Sequence, residues 1–327
     1  MLLLHDKVYH IMNITKDVYI DADSILYQCS GVQEKRFYTL KHKKSSNTLK
    51  VGSKKEAEEW IDRWVDERPS TRTKEDFIVE KSQELTGSID SAANLFRVKV
   101  RAIIEGVSKS YIVGETFICI QGKDNFRKDL PAKWSEYKAN RVSEKPLLFE
   151  ELRDYVLSEY ALKCIVSDNE ETDDVVVRAC NSGNVVAYID KDIVANSVGI
   201  LYNYNSGELF YNSDTDRWMM FCTQMLIGDS SDNIVGVGGL SDSTRELYGI
   251  SSKRCGKVSA EKILEGVKDE KEAFERVIGV YKNTHGEDAL PMMQETATFL
   301  WMCREKGEEF CLITYLENLG IDCRNDT

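Results

Sequence analysis

Two hydrophobic periods run along the chain. Short apolar runs at Val18–Ile20, Thr116–Ile120, Cys164–Val166 and Asn184–Ile189 predict buried strands. Helical patterning falls between them, at Ser24–Cys29, Lys55–Glu67, Ser88–Val107, Leu147–Tyr160 and Asp173–Cys180. In Ser88–Val107, Ala93, Phe96, Val100, Ile103 and Ile104 lie on one helical face. Ile200–Tyr204 and Leu209–Asn212 flank Asn205-Ser206-Gly207, a hairpin signal. From Asp216 on, the pattern is mostly helical, interrupted by a Gly/Ser-rich stretch at 236–256. Strands alternating with helices predict an α/β fold: a mostly parallel central sheet flanked by helices, then a helical C-terminal region. The expected division is 1–215 and 216–327, with no internal repeat or low-complexity tract.

Composition narrows the function classes. At 42% hydrophobic and 30% charged, the 327 residues suffice for a sizeable core. The net charge of −12 argues against a purely electrostatic nucleic-acid binder, but not against a protein that gathers its acids in one place. No apolar run approaches the roughly 18 residues of a membrane span, and Met1–Leu4 is too short for a signal peptide. A cytoplasmic chain (host cytoplasm if viral) with no membrane partner is expected. The nine cysteines show no zinc spacing and read as small buried hydrophobes in a reducing compartment. Four dispersed histidines argue against histidine acid–base chemistry. The basic residues of 33–55 read as a solvated hairpin or loop.

The acids are placed more tellingly. Asp21 and Asp23 follow the first strand, and Glu171-Thr172-Asp173-Asp174 opens a helix after the third. Asp190 and Asp192 follow the fourth strand, and Asp229 and Asp232 occupy a Gly-flanked turn. Each group alone has a bland reading: a helix N-terminus, a turn, a strand end. In an open parallel sheet, however, groups at the carboxyl ends of the strands converge on one crevice. So many carboxylates at low dielectric need cations, and all-oxygen donors suit Mg²⁺ or Mn²⁺. Two such ions, about 4 Å apart, are an arrangement used for phosphodiester hydrolysis.

A second constellation lies between the second strand and Leu147. Lys123, Arg127, Lys128, Lys133, Lys138, Arg141 and Lys145 interleave with Phe126, Trp134 and Tyr137. Cations track phosphates and aromatic faces stack on unpaired bases, so this segment reads as a nucleic-acid clamp.

Together these pieces resemble the 5′ nucleases, the family of flap endonucleases and bacteriophage 5′→3′ exonucleases. The matching motifs occur in the family's order: Tyr19-Ile-Asp-Ala-Asp23, Asn125-Phe-Arg-Lys128, Tyr137-Lys-Ala-Asn-Arg141, Glu171-Thr-Asp-Asp174, Asp190-Lys-Asp192 and Gly228-Asp-Ser-Ser-Asp-Asn-Ile-Val-Gly-Val237. The resemblance covers about Val18 to Tyr315. It implies a 5′ nuclease (PIN-like) core, with a helical arch at about 122–146. It also implies two Mg²⁺ or Mn²⁺ ions held by Asp21, Glu171, Asp173, Asp174, Asp190, Asp192, Asp229 and Asp232. Lys138 and Arg141 take the catalytic role at the scissile phosphate, and Arg127, Lys128 and Tyr137 contact nucleic acid. Gly236, Gly238 and Lys257 belong to an implied helix–turn–helix element that grips duplex backbone, where K⁺ is a candidate ion.

The implied activity is that of a monomeric 5′→3′ exonuclease or flap endonuclease serving phage DNA replication or primer removal. Its partners are DNA with 5′ ends or flaps, with RNA–DNA hybrids as a further candidate substrate. The alternatives are a PIN-type ribonuclease acting on single-stranded RNA and a catalytically silent DNA-binding subunit. Two departures stand out. Gln121-Gly122 occupies a position where the family commonly carries an Asp, and residues 240–255 interrupt the glycine-rich element.

Overall fold

The computed structural model describes residues 14–141 and 144–322. By compactness the chain divides into two units, and not at 215/216. One comprises the described residues of 1–23, 101–143 and 162–327; the other comprises 24–100 and 144–161. The helical C-terminal region therefore belongs to the same unit as the large sheet.

That sheet has six strands in the order β6-β5-β1-β7-β8-β9. They are β1 (Thr15–Asp21), β5 (Ile112–Ile120), β6 (Cys164–Val166), β7 (Val185–Tyr188), β8 (Gly199–Asn203) and β9 (Glu208–Asn212). Every pairing is parallel except the β8–β9 hairpin. Central parallel strands are covered on both faces, which is why they read as unbroken apolar runs. Val18, Ile20, Val185, Val186 and Ala187 are all buried. The chain leaves β1 for β5 on one side and returns to β7 on the other. Such a switch point opens a crevice beyond the strands' carboxyl ends.

The helices of this unit follow the strands. They are α5 (Thr172–Asn181), α6 (Lys191–Asn196), α7 (Asp214–Ile227), α8 (Asp242–Leu247), α9 (Lys257–Leu264), α10 (Glu270–His285), α11 (Ala289–Leu300) and α12 (Leu312–Asn318). Ser213 caps α7 by accepting from the Asp216 N–H, and Asp269 caps α10 by accepting from that of Glu272. Trp218, Phe221 and Met225 on one side of α7 pack with Phe274, Tyr281 and Phe299 into the C-terminal core.

The second unit contains an antiparallel sheet of order β3-β2-β4, formed by β2 (Glu34–His42), β3 (Thr48–Val51) and β4 (Phe77–Leu85). Helix α2 (Lys54–Asp66) packs Ala57 and Ile61 onto Leu40 and Val51. On the strands, Lys41 pairs with Glu80, and Lys50 with Glu84. These lysines of 33–55 are thus exposed surface charges, in keeping with a solvated hairpin. Helices α1 (Asp23–Gly31), α3 (Ile89–Ser108) and α4 (Phe149–Glu159) complete the chain. Among the described residues, no helix is long and apolar enough to cross a membrane.

Two expectations need correction. The described part of 122–146 is not a helical arch: it holds one 3₁₀ turn, Phe126–Asp129, and otherwise turns and irregular backbone. Pro131 follows one residue after that turn, past Leu130, and has no backbone N–H with which to continue it. Lys138 then adopts a left-handed φ of 57°. The stretch 240–255 is also more than an interruption. Its base is closed by a bridge between Gly239 and Arg254, with Leu240 N–H donating to Lys253 O and Cys255 N–H to Gly238 O. This brings Gly238 beside the start of α9, with the short helix α8 carried on the excursion.

Candidate functional site

The carboxylates stand where the strands end. Asp21 is the last residue of β1, Asp190 caps α6 straight after β7, and Glu171 caps α5 after the β6 loop. Asp229 and Asp232 come from the loop after α7, which folds into the two-residue strands β10 (Gly228–Asp229) and β11 (Ile234–Val235). That loop depends on two glycines packed backbone to backbone. A Cβ on Gly236 would lie 2.3 Å from Gly228 N, and one on Gly228 would lie 2.4 Å from Gly236 N. Gly236 is buried, so its role is this close approach and not the phosphate contact expected of it. Gly236→Ala is expected to cost about 2 kcal/mol of unfolding free energy by overpacking, measured by urea denaturation.

The acids fall into two electrostatic groups. Burial pushes the Asp21 carboxyl up to about 8, helped by Asp23 and Asp190. Burial also raises Asp173 well above the usual range, reinforced by Asp21, Asp190 and Glu171. Asp190 is raised by burial, with Asp232 and Asp229 adding to it. Asp192 rises to about 8 through burial and the charges of Asp190 and Asp229. These four carry mutual repulsion that the protein's own cations do not offset.

The remaining acids are held by basic side chains. Burial works to raise Glu171, but Lys138 and then Arg127 pull it below its ordinary value. Lys138 Nζ donates to Glu171 and lies 3.4 Å from Asp232, which also accepts from Arg141. Lys191 lies 3.1 Å from Asp229, whose carboxylate also accepts from Ser231 N–H at 2.7 Å.

The clamp segment is stitched along this loop. Lys138 N–H donates to Asp232 O (2.7 Å), Asn140 to Ser230 O (2.6 Å), and Asn233 to Glu136 O (2.8 Å). Glu295 accepts from the backbone N–H groups of Lys133, Trp134 and Ser135. Tyr137 stacks on Phe299 at 5.0 Å and donates its hydroxyl to Glu171 Oε2 at 2.8 Å. It therefore orients a carboxylate, a different task from the base stacking expected of it.

Arg127 is the clearest relocation. Expected at nucleic acid, it is fully buried and makes a two-bond pair with Asp174 at 2.7 and 2.8 Å. Asp174, expected as a ligand, is spent on that pair. Lys128, Gly238 and Lys257 are exposed.

Sequence reasoning missed several members of this neighbourhood. Asn125 donates to Glu171 at 2.7 Å, and Gln224 donates to Asp192. Asp23, which the sequence did place beside Asp21, accepts from Gln121 N–H at 3.1 Å and from the Thr172 hydroxyl at 2.7 Å. Gln121 in turn bonds Glu170 O and Thr172 N–H, so this residue is a neutral cross-link. Asn125 lay inside a recognised motif and Lys191 between two recognised acids. Gln224 gave no signal.

Among the described residues, no three Asp, Glu, His or Cys side chains stand arranged to hold a metal ion. The donor chemistry nevertheless fits a hard divalent cation. Asp21, Asp173, Asp190 and Asp192 are all-oxygen donors whose mutual repulsion a cation would relieve.

No protein-family model matches the chain, and no curated protein matches it. Among solved structures, the chain is similar to a bacteriophage T5 protein co-crystallised with metal ions, at 17% identity and a TM-score of 0.36, over 64% of this chain and 90% of that one. It is also similar to a bacteriophage T5 flap endonuclease in a pseudo-enzyme-product complex with DNA and metal ions, at 15% identity and a TM-score of 0.36, over 88% and 96%. A mutant T5 5′-exonuclease matches at 16% identity and a TM-score of 0.35, over 64% and 91%.

Proposed function

We propose that this chain is a divalent-metal-dependent 5′ nuclease that hydrolyses phosphodiester bonds in DNA from 5′ ends or at flaps. One observation carries the reading. Mutually repelling carboxylates at the ends of β1 and β7 and at the start of α5 adjoin a segment that presents Lys138 and Arg141 at Glu171 and Asp232. Asp21, Asp173, Asp190 and Asp192 would hold Mg²⁺ or Mn²⁺, with Glu171, Asp229 and Asp232 adjoining. When bound, such an ion supplies Lewis-acid polarisation and charge neutralisation for phosphoryl transfer. The chain's own groups do the rest. Lys138 and Arg141 neutralise the non-bridging phosphate oxygens as charge develops. Tyr137 and Asn125 hold Glu171 in one orientation. Lys128, Gly238 and Lys257 meet the sugar–phosphate backbone away from the chemistry. Primer removal during phage DNA replication, with RNA–DNA hybrids among the substrates, is the biological role this reading favours.

The test uses 5′-labelled duplex, flap, RNA–DNA hybrid and single-stranded RNA substrates, each with Mg²⁺ or with excess chelator. Short labelled products from the DNA substrates are expected with Mg²⁺, and none with chelator. Cleavage that survives the chelator, or that is confined to single-stranded RNA, would overturn the proposal.

A further inference from the structure

We propose that Asp174 is not a ligand of the candidate metal centre. It is the anionic end of a buried strut through which Arg127 and the Trp301–Cys303 turn position Glu171. This deepens the reading of the crevice as a metal centre and rests on it. A carboxylate offers about four lone-pair sites on its two oxygens. In Asp174 all four have donors. Oδ2 accepts from Glu171 N–H at 2.8 Å and from Arg127 Nη1 at 2.7 Å. Oδ1 accepts from Arg127 Nη2 at 2.8 Å and from Cys303 N–H at 2.6 Å. With both side chains fully buried, no acceptor site is left to face the crevice.

The strut reaches both acid-bearing helices. Arg127 Nη2 also donates to Trp301 O, and the guanidinium lies over the Phe126 ring at 4.7 Å. The next residue of the turn, Met302, donates its N–H to Asn196 Oδ1 at 3.0 Å. Asn196 Nδ2 returns bonds to Leu300 O and Asp192 O. One turn of the C-terminal region thus ties the start of α5, where Glu171 sits, to α6, which follows Asp190 and carries Asp192. The Glu171 N–H held by Asp174 fixes the backbone from which the Glu171 carboxylate projects. Arg127 and Asp174 are positioning residues in this arrangement.

The test is a double-mutant cycle on the full chain with Arg127→Met, Asp174→Asn and both together. Arg127→Lys is added as a milder variant that keeps the charge. Melting temperature and Mn²⁺ binding, followed by electron paramagnetic resonance titration, are read for each. Removing one partner of a buried pair strands the other, so each single substitution should lower the melting temperature by about 5 °C. The double variant should lose no more than the worse single one. The singles should weaken Mn²⁺ binding about tenfold through displaced Glu171, with the number of bound ions unchanged. Arg127→Lys should fall between them and the unsubstituted protein.

Additive losses in melting temperature would overturn the strut. So would loss of one bound Mn²⁺ in Asp174→Asn with the melting temperature held. If the unsubstituted protein binds no Mn²⁺, the metal-centre reading falls, while the melting-temperature cycle still decides the strut.

Discussion

Replacing Asp173 with Asn is expected to lower Mg²⁺-dependent cleavage about a thousand-fold, equivalent to about 4 kcal/mol of transition-state stabilisation. The same change should raise the melting temperature of the metal-free protein. Both effects come from one cause: Asp173 is half-buried and faces the charges of Asp21, Asp190 and Glu171. A neutral amide relieves that repulsion but no longer supplies a full negative charge to a cation. In metal-free protein the raised carboxyls also set a pH slope. A carboxyl whose pKa is higher in the folded than in the unfolded state binds protons preferentially when folded. Stability should then fall as pH rises from the ordinary carboxylate range toward the value of about 8 reached by Asp21 and Asp192. Glu171 and Asp174 are shifted down, so they act oppositely, and only as pH falls below the ordinary range. Asp173→Asn should flatten the slope. Calorimetric melting from pH 5 to 8 in chelator, with DNA binding in Ca²⁺ and cleavage in Mg²⁺, checks all three. A near-normal cleavage rate would remove Asp173 from the site.

Lys138→Ala is expected to reduce turnover on the order of a hundred-fold, the scale for losing one pre-aimed charge-stabilising donor. Binding of DNA should change far less, because in the proposed reading exposed Lys128 and Lys257 make the backbone contacts. The backbone complicates the comparison, since Lys138 sits at φ 57°, where a side chain is strained. Lys138→Gly separates the two effects. It should match Ala in turnover but exceed it in stability by about 1 kcal/mol. Single-turnover kinetics and urea denaturation on both variants provide the readout. Turnover restored in the Gly variant would make the backbone, not the ammonium, responsible.

The large sheet was legible because its central strands are buried on both faces. Val18–Ile20 and Asn184–Ile189 stand out as apolar runs, and the acids after them fall at strand ends without further information. Strand β4 was not legible. Ile78, Val79 and Leu85 are exposed among charged neighbours, so Phe77–Leu85 shows no clean apolar alternation. The helical arch came from family resemblance, and the chain's own Pro131 and left-handed Lys138 give that segment irregular backbone.

What the sequence determined by itself was the class of fold and the placing of Asp21, Glu171, Asp173 and Asp190 at strand and helix ends, since element type and element ends follow from periodicity. What only the tertiary structure decided was which charges are free to act. Arg127 lies in a basic, aromatic stretch that reads as a phosphate clamp, yet its partner Asp174 is 47 residues away. The Cys303 N–H that completes the Asp174 shell is 129 residues away. Residue type sets the charge of a group, but long-range packing sets its solvation and its partners. At low dielectric, those determine whether a carboxylate is a strut or stays available to a cation.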